Sequence, residues 1–213
     1  MTALIPRLLD SAVLPLAELQ AARLDGQLYR VGDAFATVDT PDTAELRAAA
    51  FRLSAPRAAV ADRLTASWIH GARAGPPVTL QVCVDSAHRI SARTLQGLDV
   101  RQCILSRGDV VKLGDARVTS PLRTVVDLLR TVDRLTHGLA VELHVLLRLG
   151  DDDIGSCQER ILRQHRVPGT RRALDRLAGL ATFEPAPEQA QPERAQRERG
   201  QTEPAAPEPV NRR

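Results

Sequence analysis

The sequence is poor in aromatic residues and in long apolar runs. Aromatic residues make up 2% of its 213 residues, which argues against a single-stranded nucleic-acid binder that stacks bases on aromatic side chains. No stretch approaches the roughly 18 uncharged apolar residues of a membrane helix, and the N-terminus lacks the pattern of a signal peptide. Three widely spaced cysteines fit neither a disulfide framework nor a zinc site. We therefore predict a cytoplasmic protein that has no membrane segment.

What the sequence contains is typical of a folded chain with a polar tail. Hydrophobic residues make up 43% and charged residues 26%, a balance found in globular domains. The formal net charge of +3 permits contact with nucleic acid without requiring it. Residues 181–213 hold 6 of the 14 prolines, and six glutamates there oppose five arginines. Because this segment can bury little apolar surface, we predict that it is a disordered tail.

Residues 1–42 carry the pattern of a helix followed by a hairpin. Leu16–Leu24 predict a helix that ends at Gly26. Two short apolar runs follow and flank Gly32-Asp33, a pair suited to a two-residue hairpin turn. A helix and a hairpin in this order form the second half of a winged-helix module, so we predict a partial module of that kind here.

The next part of the chain predicts helices and strands around a sheet. Residues 43–53 predict an amphipathic helix. Its apolar stripe consists of Leu46, Ala49, Ala50 and Leu53. Residues 78–84 alternate strictly between apolar and polar, which is typical of a strand with one buried face. A second strand is predicted over 98–105, and a hairpin about Gly114-Asp115 follows.

The last part of the folded region predicts helices. Ser120-Pro121 offers an N-cap hydroxyl and a proline at the first helical position, which together indicate a helix start. Further helices are predicted over 133–149, 152–164 and 170–180. We therefore predict an α/β (α+β) fold: a short winged-helix-like N-terminal module, a mixed-sheet central domain, C-terminal helices and a disordered tail.

No arrangement typical of catalysis stands out in the sequence. The glycines are scattered singly, and the sequence contains no HExxH, CxxC or nucleophile elbow. His137 and His144 lie near Glu142 on one predicted helix, but two turns separate the imidazoles by about 10 Å along the axis. Residues 151–153, three aspartates before an apolar helical stripe, are expected to cap that helix. We predict neither a metal site nor a small-molecule cofactor.

A basic stretch covers the last two predicted helices. Its members are Arg160, Arg163, Arg166, Arg171, Arg172 and Arg176. Between residues 160 and 176 only Asp175 opposes them. Two interpretations stay open: a solvated face whose arginines pair locally, or a surface that contacts an acidic partner or phosphates. We take these six arginines as the candidate partner-binding surface.

Two further pairs of residues are conspicuous. Trp68 and His70 stand close together in a chain with few aromatics, and they predict a core tryptophan and a histidine at a helix end. Arg123 and Asp127 are spaced i, i+4 on the helix that begins at Pro121, where such a pair contributes a few tenths of a kcal/mol. The alternative is that Arg123 reaches back to carbonyl groups of the predicted hairpin about Gly114.

Two segments carry a resemblance to a known family. Residues 58–71 end in Thr-Ala-Ser-Trp-Ile-His-Gly, and residues 118–128 read Val-Thr-Ser-Pro-Leu-Arg-Thr-Val-Val-Asp-Leu. In this order and at this distance they resemble the AbiEi-like antitoxin family of type IV toxin–antitoxin systems, over about residues 12–180. The family-motif residues are Trp68, His70, Gly71, Thr119, Ser120, Pro121, Arg123 and Asp127.

The resemblance implies a fold and a function. It implies a winged-helix N-terminus that binds operator DNA and represses its own operon. It further implies an α/β antitoxin domain, here residues 43–180, that neutralises a nucleotidyltransferase-like toxin without catalysis. The partners implied are thus a cognate toxin and operator DNA, and no cofactor is implied. The candidate DNA contacts in the first module are Gln20, Arg23 and Arg30.

Three features depart from the family pattern and leave alternatives open. The N-terminal module is too short for the helix pair that usually precedes a recognition helix. In residues 1–40 three arginines stand against five carboxylates, a balance that repels phosphate. Some similar chains continue into an endonuclease domain resembling very-short-patch repair nucleases, and the tail stands in that place, so we expect no nuclease activity. The alternatives are a stand-alone DNA-binding transcriptional regulator and a non-catalytic remnant of such a nuclease fusion.

Overall fold

The chain folds as a mixed α/β protein, as the sequence predicts. The structure is a computed structural model that describes residues 6–86, 92–164 and 167–183. Within these ranges it contains seven α-helices, one short 3-10 helix (Ala92–Leu95) and seven strands. Nearly all of the predicted tail, from residue 184 onward, lies outside the described residues.

The N-terminal part contains the predicted helix and hairpin. Helix α1 (Leu16–Leu24) is followed by strands β1 (Leu28–Val31) and β2 (Ala34–Thr37), which pair antiparallel. Four buried side chains form a small core of their own: Leu9, Leu19, Leu28 and Phe35. Val31 and Ala36 instead pack into the larger core of the central sheet. The hairpin therefore contributes to two cores at once.

Helix α2 (Ala44–Ser54) has a different buried face from the predicted one. The side chain of Thr43 caps it by accepting a hydrogen bond from the Leu46 amide at 3.2 Å. Its buried residues are Leu46, Ala48, Ala50 and Phe51. Ala49 and Leu53, which belong to the predicted stripe, are exposed. Because α2 packs against a neighbouring helix as well as the sheet, the bulky Phe51 rather than Leu53 enters the core.

A mixed five-stranded sheet forms the centre of the fold. Its strands are β3 (Val60–Ala61), β4 (Gln81–Asp85), β5 (Asp99–Cys103), β6 (Val110–Leu113) and β7 (Ala116–Thr119). Their order across the sheet is β5-β4-β3-β7-β6. The pairs β4–β5 and β3–β7 are parallel, and the pairs β3–β4 and β6–β7 are antiparallel. The β6–β7 hairpin confirms the predicted turn about Gly114-Asp115.

Strand β4 corrects the prediction of a half-buried strand over 78–84. It begins at Gln81, and Val78 lies before it, fully exposed. The three successive residues Val82, Cys83 and Val84 are all buried, so both faces of the strand are covered. An interior strand of a mixed sheet can bury both faces, and alternation in the sequence then no longer indicates which face is solvated.

The remaining helices surround α4. They are α3 (Arg63–His70), α4 (Pro121–Thr131), α5 (His137–Leu149), α6 (Ile154–Arg163) and α7 (Thr170–Ala181). Helix α4 contacts each of the other four, and every residue from position 123 to 130 is buried. The site described below is built around this central helix.

The helix starts confirm some capping predictions and correct others. Asp153 caps α6, since its carboxylate accepts a hydrogen bond from the Ser156 amide at 2.7 Å. Ser120 stands at the N-cap position of α4, but its hydroxyl makes no capping bond, contrary to the prediction. Helix α5 begins four residues later than predicted, because the side chain of Thr136 caps it.

Candidate functional site

Residues 58–71 and 118–128 contact each other. His70 is the last residue of α3, and its Nε2 donates a hydrogen bond to the carbonyl oxygen of Thr119 at 2.7 Å. Thr119 ends β7 and leads into α4. Burial lowers the pKa of His70, against the raising effect of this hydrogen bond. The imidazole is thus neutral at pH 7, with its proton on the nitrogen that faces Thr119.

Trp68 is a core residue, as predicted. It is 3% exposed, and its ring lies against the turn of the first hairpin. Gly32 in that turn has φ +62°, and a Cβ atom at this position would lie 3.2 Å from Cη2 of the tryptophan ring. The site therefore accommodates glycine both for its backbone conformation and for the close approach of the indole.

A network of alternating arginine and aspartate side chains, here called the arginine–aspartate network, joins the sheet to α4. Arg101 on β5 bonds to both Asp62 and Asp127. Arg123 donates through Nε to Asp127 and through Nη1 to Asp109, each at 2.8 Å. All three aspartates are buried, with exposures between 0% and 3%. The arginine–aspartate network connects β5, the start of α3, α4 and the residue that precedes β6.

The arginine–aspartate network extends at both ends, and it corrects one prediction. Arg160 on α6 bonds to Asp109, and Arg63 bonds to Asp62 and to Asp99 at the other end. The predicted pair of Arg123 and Asp127 is present, but it is buried, so the few tenths of a kcal/mol of a surface pair do not apply. The alternative contact with the hairpin about Gly114 is wrong, because Arg123 bonds to the carbonyl of Ile104 and to Asp109 instead.

The aspartates hold Arg101, which is partly buried, and Arg123, which is buried, firmly in the charged state. Burial by itself would lower the pKa of Arg101, but the charges of Asp62 and Asp127 raise it overall. Burial likewise opposes the charge of Arg123, and Asp127 and Asp109 raise its pKa overall. The guanidinium groups of Arg101 and Arg123 are thus neutralised by the carboxylates that they contact.

A cleft of about 830 Å³ lies beside this network, lined by the end of β5, by α4 and by residues 163–164, 167–169 and 172. Five arginines line it: Arg101, Arg123, Arg130, Arg163 and Arg172. Asp127 is the one carboxylate among the described residues that line it. The cleft is therefore a cationic cavity of the size that holds a small organic ligand.

Arg130 differs from Arg101 and Arg123. It is 7% exposed, and its Nη1 donates to Oε1 of Gln164 at 2.8 Å. Its Nε and Nη2 are buried, and neither has a hydrogen-bond partner among the residues that the structure describes. Burial lowers the pKa of Arg130, and the charges of neighbouring arginines lower it further against the opposing effect of Asp127. An unpaired cation thus lies at the cleft.

The structure separates the six arginines of the predicted partner surface. Arg160 belongs to the arginine–aspartate network. Arg176 donates to the carbonyls of Leu129 and Asp133 at 2.7 and 3.2 Å. These two arginines hold helices together. Arg163 and Arg172 line the cleft, Arg171 is exposed outside it, and Arg166 lies outside the described residues.

The candidate DNA contacts lie together on the first module. Arg23 donates to the side chain of Gln20 at 3.2 Å, and Arg30 forms an exposed ion pair with Asp33 at 3.4 Å. Gln20 and Arg30 line one shallow depression, which also contains Asp10 and Asp33. The structure thus brings the three predicted residues to one surface, and two carboxylates accompany them.

The two histidines weighed as metal ligands have other contacts. The rings of His137 and His144 lie against Phe183, with ring centroids 4.9 and 5.8 Å from it. Glu142 accepts hydrogen bonds from Ser67 and Arg73. Across residues 6–86, 92–164 and 167–183, no group of three His, Cys, Asp or Glu residues could hold a metal ion. In the same ranges, no helix is both long and apolar enough to cross a membrane.

Comparisons with known proteins find a distant structural likeness. No family model matches the chain, and no curated protein matches it. A solved structure, "Crystal structure of RV2827C protein from Mycobacterium tuberculosis", is similar over 85% of this chain and 74% of that chain, with 16% identity and a TM-score of 0.44. We draw no functional conclusion from a likeness at this level.

Sequence reasoning missed the cleft and most members of the arginine–aspartate network. Asp62, Arg101 and Asp109 come from separate parts of the sequence, and nothing local connects them. One signal was present, because Arg123, Asp127 and Arg130 are spaced i, i+4, i+7 and share one face of α4. A polar stripe of this kind on a helix that also carries a full apolar stripe indicates a buried polar contact.

Proposed function

We propose that this protein is a non-enzymatic antitoxin that acts by direct contact with a nucleotidyltransferase-like toxin. The observation that supports the proposal is the hydrogen bond between His70 and Thr119. It joins the two segments on which the resemblance to AbiEi-like antitoxins rests, so these segments form one structural unit. Their resemblance is then a likeness of one folded element rather than of two unrelated stretches.

The roles of the motif side chains support binding rather than chemistry. Trp68 packs in the core, and His70 is neutral and bonded to a backbone carbonyl. Arg123 and Asp127 neutralise each other and their neighbours in the arginine–aspartate network. A general acid, base or nucleophile needs access to a substrate, whereas these groups are used to hold sheet and helices together.

An exposed basic position suits contact with an acidic partner. Arg171 lies in the first turn of α7, is exposed and lines no part of the cleft. Complementary charges across an interface speed association and select the partner. We therefore expect the exposed face near the start of α7 to contact an acidic patch on the toxin.

Co-expression with the toxin tests the proposal. A nucleotidyltransferase-like protein encoded next to this chain would be expressed alone, with the wild-type chain and with Arg171→Glu. We expect the wild type to restore growth and to co-purify with the toxin, and Arg171→Glu to weaken both effects. Arg148→Glu, at an exposed position of α5, is the matched control and should behave as the wild type. Failure of the wild type to bind or neutralise such a neighbour would contradict the proposal.

Repression of its own operon is the second part of the proposal. The helix and hairpin of the first module, with Gln20, Arg23 and Arg30 on one surface, support contact with DNA. Binding to the DNA upstream of its gene should weaken as salt is raised, because phosphate contacts release counterions. The double variant Arg23→Ala, Arg30→Ala should bind more weakly in a gel-shift assay. Absence of any shift at low salt would contradict this part and leave the toxin contact untouched.

A further inference from the structure

The arginines of the cleft divide into those that have carboxylate partners and those that do not. Arg101 and Arg123 are neutralised by the buried aspartates, and Arg163 pairs with Glu159. Arg130 and Arg172 line the cleft without a carboxylate partner among the described residues. The cleft therefore holds two uncompensated positive charges, one buried and one exposed at its rim.

The unpartnered atoms of Arg130 have the geometry of an oxyanion receptor. Nε and Nη2 form one edge of the guanidinium plane, and their two N–H groups point in parallel. This is the edge that holds a carboxylate or a phosphate through two hydrogen bonds. Nη1, on the other side, is fixed by Gln164 at 2.8 Å. The side chain is thus oriented in advance, while the edge that binds oxyanions has no partner within the part of the chain that the structure describes.

The start of α7 adds to the positive potential at the same place. Pro168, Gly169 and Arg172 line the cleft, and Gly169 occupies the N-cap position of this 12-residue helix. A glycine offers no capping side chain to the first turn. Helix N-termini bind anions through their backbone N–H groups and the helix dipole. Gly169 also has φ +85°, and a Cβ there would lie 3.1 Å from the carbonyl oxygen of Arg130, so the helix start lies close to the backbone of this arginine.

We propose that this cleft binds the phosphate group of a nucleotide-sized small molecule. A phosphate monoester carries a charge of about −1.5 to −2 at pH 7, which matches the two uncompensated guanidinium groups. The volume of about 830 Å³ exceeds what phosphate alone needs and lies within the range of about 300 to 1,000 Å³ of small-molecule sites. Apolar side chains such as Ile104 and Val167 line the remaining space. The inference does not depend on the toxin contact proposed above.

The free energy of the protein alone gives a second expectation. A buried cation without a carboxylate partner is destabilising, and the replacement of buried charge by an apolar side chain of similar size is often neutral or stabilising. Arg130→Met should therefore keep or raise the melting temperature while it weakens phosphate binding at least tenfold. An arginine whose role is to support the fold would instead lower the melting temperature when it is replaced.

Calorimetry on the full chain with AMP, adenosine and inorganic phosphate tests the proposal. We expect AMP to bind and adenosine not to bind. Tighter binding of AMP than of inorganic phosphate supports a nucleotide-sized ligand, whereas equal binding would show that the cleft recognises phosphate alone and would overturn the nucleotide-sized ligand. Arg130→Met, Arg130→Lys and Arg172→Ala should each weaken AMP binding at least tenfold. Arg171→Ala, one position away and outside the cleft, should bind AMP like the wild type.

Several outcomes would overturn the inference. One is a wild-type chain that binds no phosphate compound, and another is a set of arginine variants that bind AMP as well as the wild type does. Binding of a single-stranded oligonucleotide without any binding of AMP would reassign the cleft to nucleic acid. Because Arg172 is exposed, Arg172→Ala should leave the fold intact, and circular dichroism would verify this for each variant.

Discussion

Arginine–aspartate pairs occur in two regions of this protein in opposite surroundings. In the N-terminal module, the side chains of Arg30 and Asp33 are 61% and 74% exposed. At the junction of sheet and α4, those of Arg123 and Asp127 are 5% and 1% exposed. Water solvates the first pair whether or not it forms, so the pair contributes little. The second pair has lost that solvation, so every charge depends on its partners. The exposed pair therefore has little effect on the stability of the fold, whereas the fold is stable only when the charges of the buried pair have their partners.

The largest expected effect on stability comes from a substitution that removes the buried ion pair. Asp127→Ala removes the carboxylate that Arg101 and Arg123 share, and it leaves the buried guanidinium of Arg123 and the partly buried guanidinium of Arg101 short of a partner. We expect the free energy of unfolding to fall by about 3–5 kcal/mol. Urea denaturation at pH 7 measures it.

The matched change on the exposed side is Asp33→Ala. Its ion pair with Arg30 is solvated, so the loss should be about 0–1 kcal/mol. Equal losses for Asp127→Ala and Asp33→Ala would show that burial does not distinguish the two pairs, and the comparison would then be wrong.

A second change tests how the two regions are joined. Gly32→Ala places a side chain at φ +62°, 3.2 Å from the ring of Trp68. We expect a loss of about 1–2 kcal/mol from the left-handed conformation, with further loss if the indole has to move. Gly138→Ala on α5 is the control, since a Cβ there meets nothing within 4 Å, and it should gain about 0.4–1 kcal/mol. A neutral Gly32→Ala would mean that the hairpin turn tolerates a side chain at this contact.

A smaller effect concerns pH and the contact of His70 with Thr119. Burial lowers the pKa of His70 in the folded protein, so below about pH 6.5 the unfolded chain binds the proton first. Stability should therefore decline as the pH falls from 7 toward the folded-state pKa, by at most about 1.4 kcal/mol per pH unit from this group. His70→Gln keeps an N–H donor near the Nε2 position and does not titrate.

The measurement compares the two proteins by urea denaturation between pH 5 and pH 8. The difference between wild type and His70→Gln should depend on pH below 7 and should be constant above it. A difference that stays constant over the whole range would contradict the lowered pKa of His70.

Local signals predicted much of the fold. Gly32-Asp33 and Gly114-Asp115 gave the two hairpins, and Pro121 gave the start of α4. Each of these signals acts within a few residues, through turn conformation or helix capping. Segments whose structure depends on near neighbours can be predicted from sequence alone.

Signals that depend on distant neighbours failed. Leu53 was predicted in the core, yet the packing of α2 against a second helix buries Phe51 instead. The alternation over 78–84 indicated one buried face, yet the position of β4 inside the sheet covers both. The candidate phosphate site could not be predicted either, because Arg101, Arg130 and Arg172 meet only in the folded chain.

The shortest strand of the sheet also has a consequence for how the protein is made. Strand β3 consists of Val60 and Ala61, and it pairs with β4 on one side and with β7 on the other. Its parallel partners in β7, Arg117 and Val118, leave the ribosome long after it does. Chains are synthesised from the N-terminus at about 5–20 residues per second, so several seconds pass in which β3 has an open edge. Nascent chains stalled before residue 117 should therefore be captured by chaperones that recognise unpaired strands, and chains stalled well beyond it should be released.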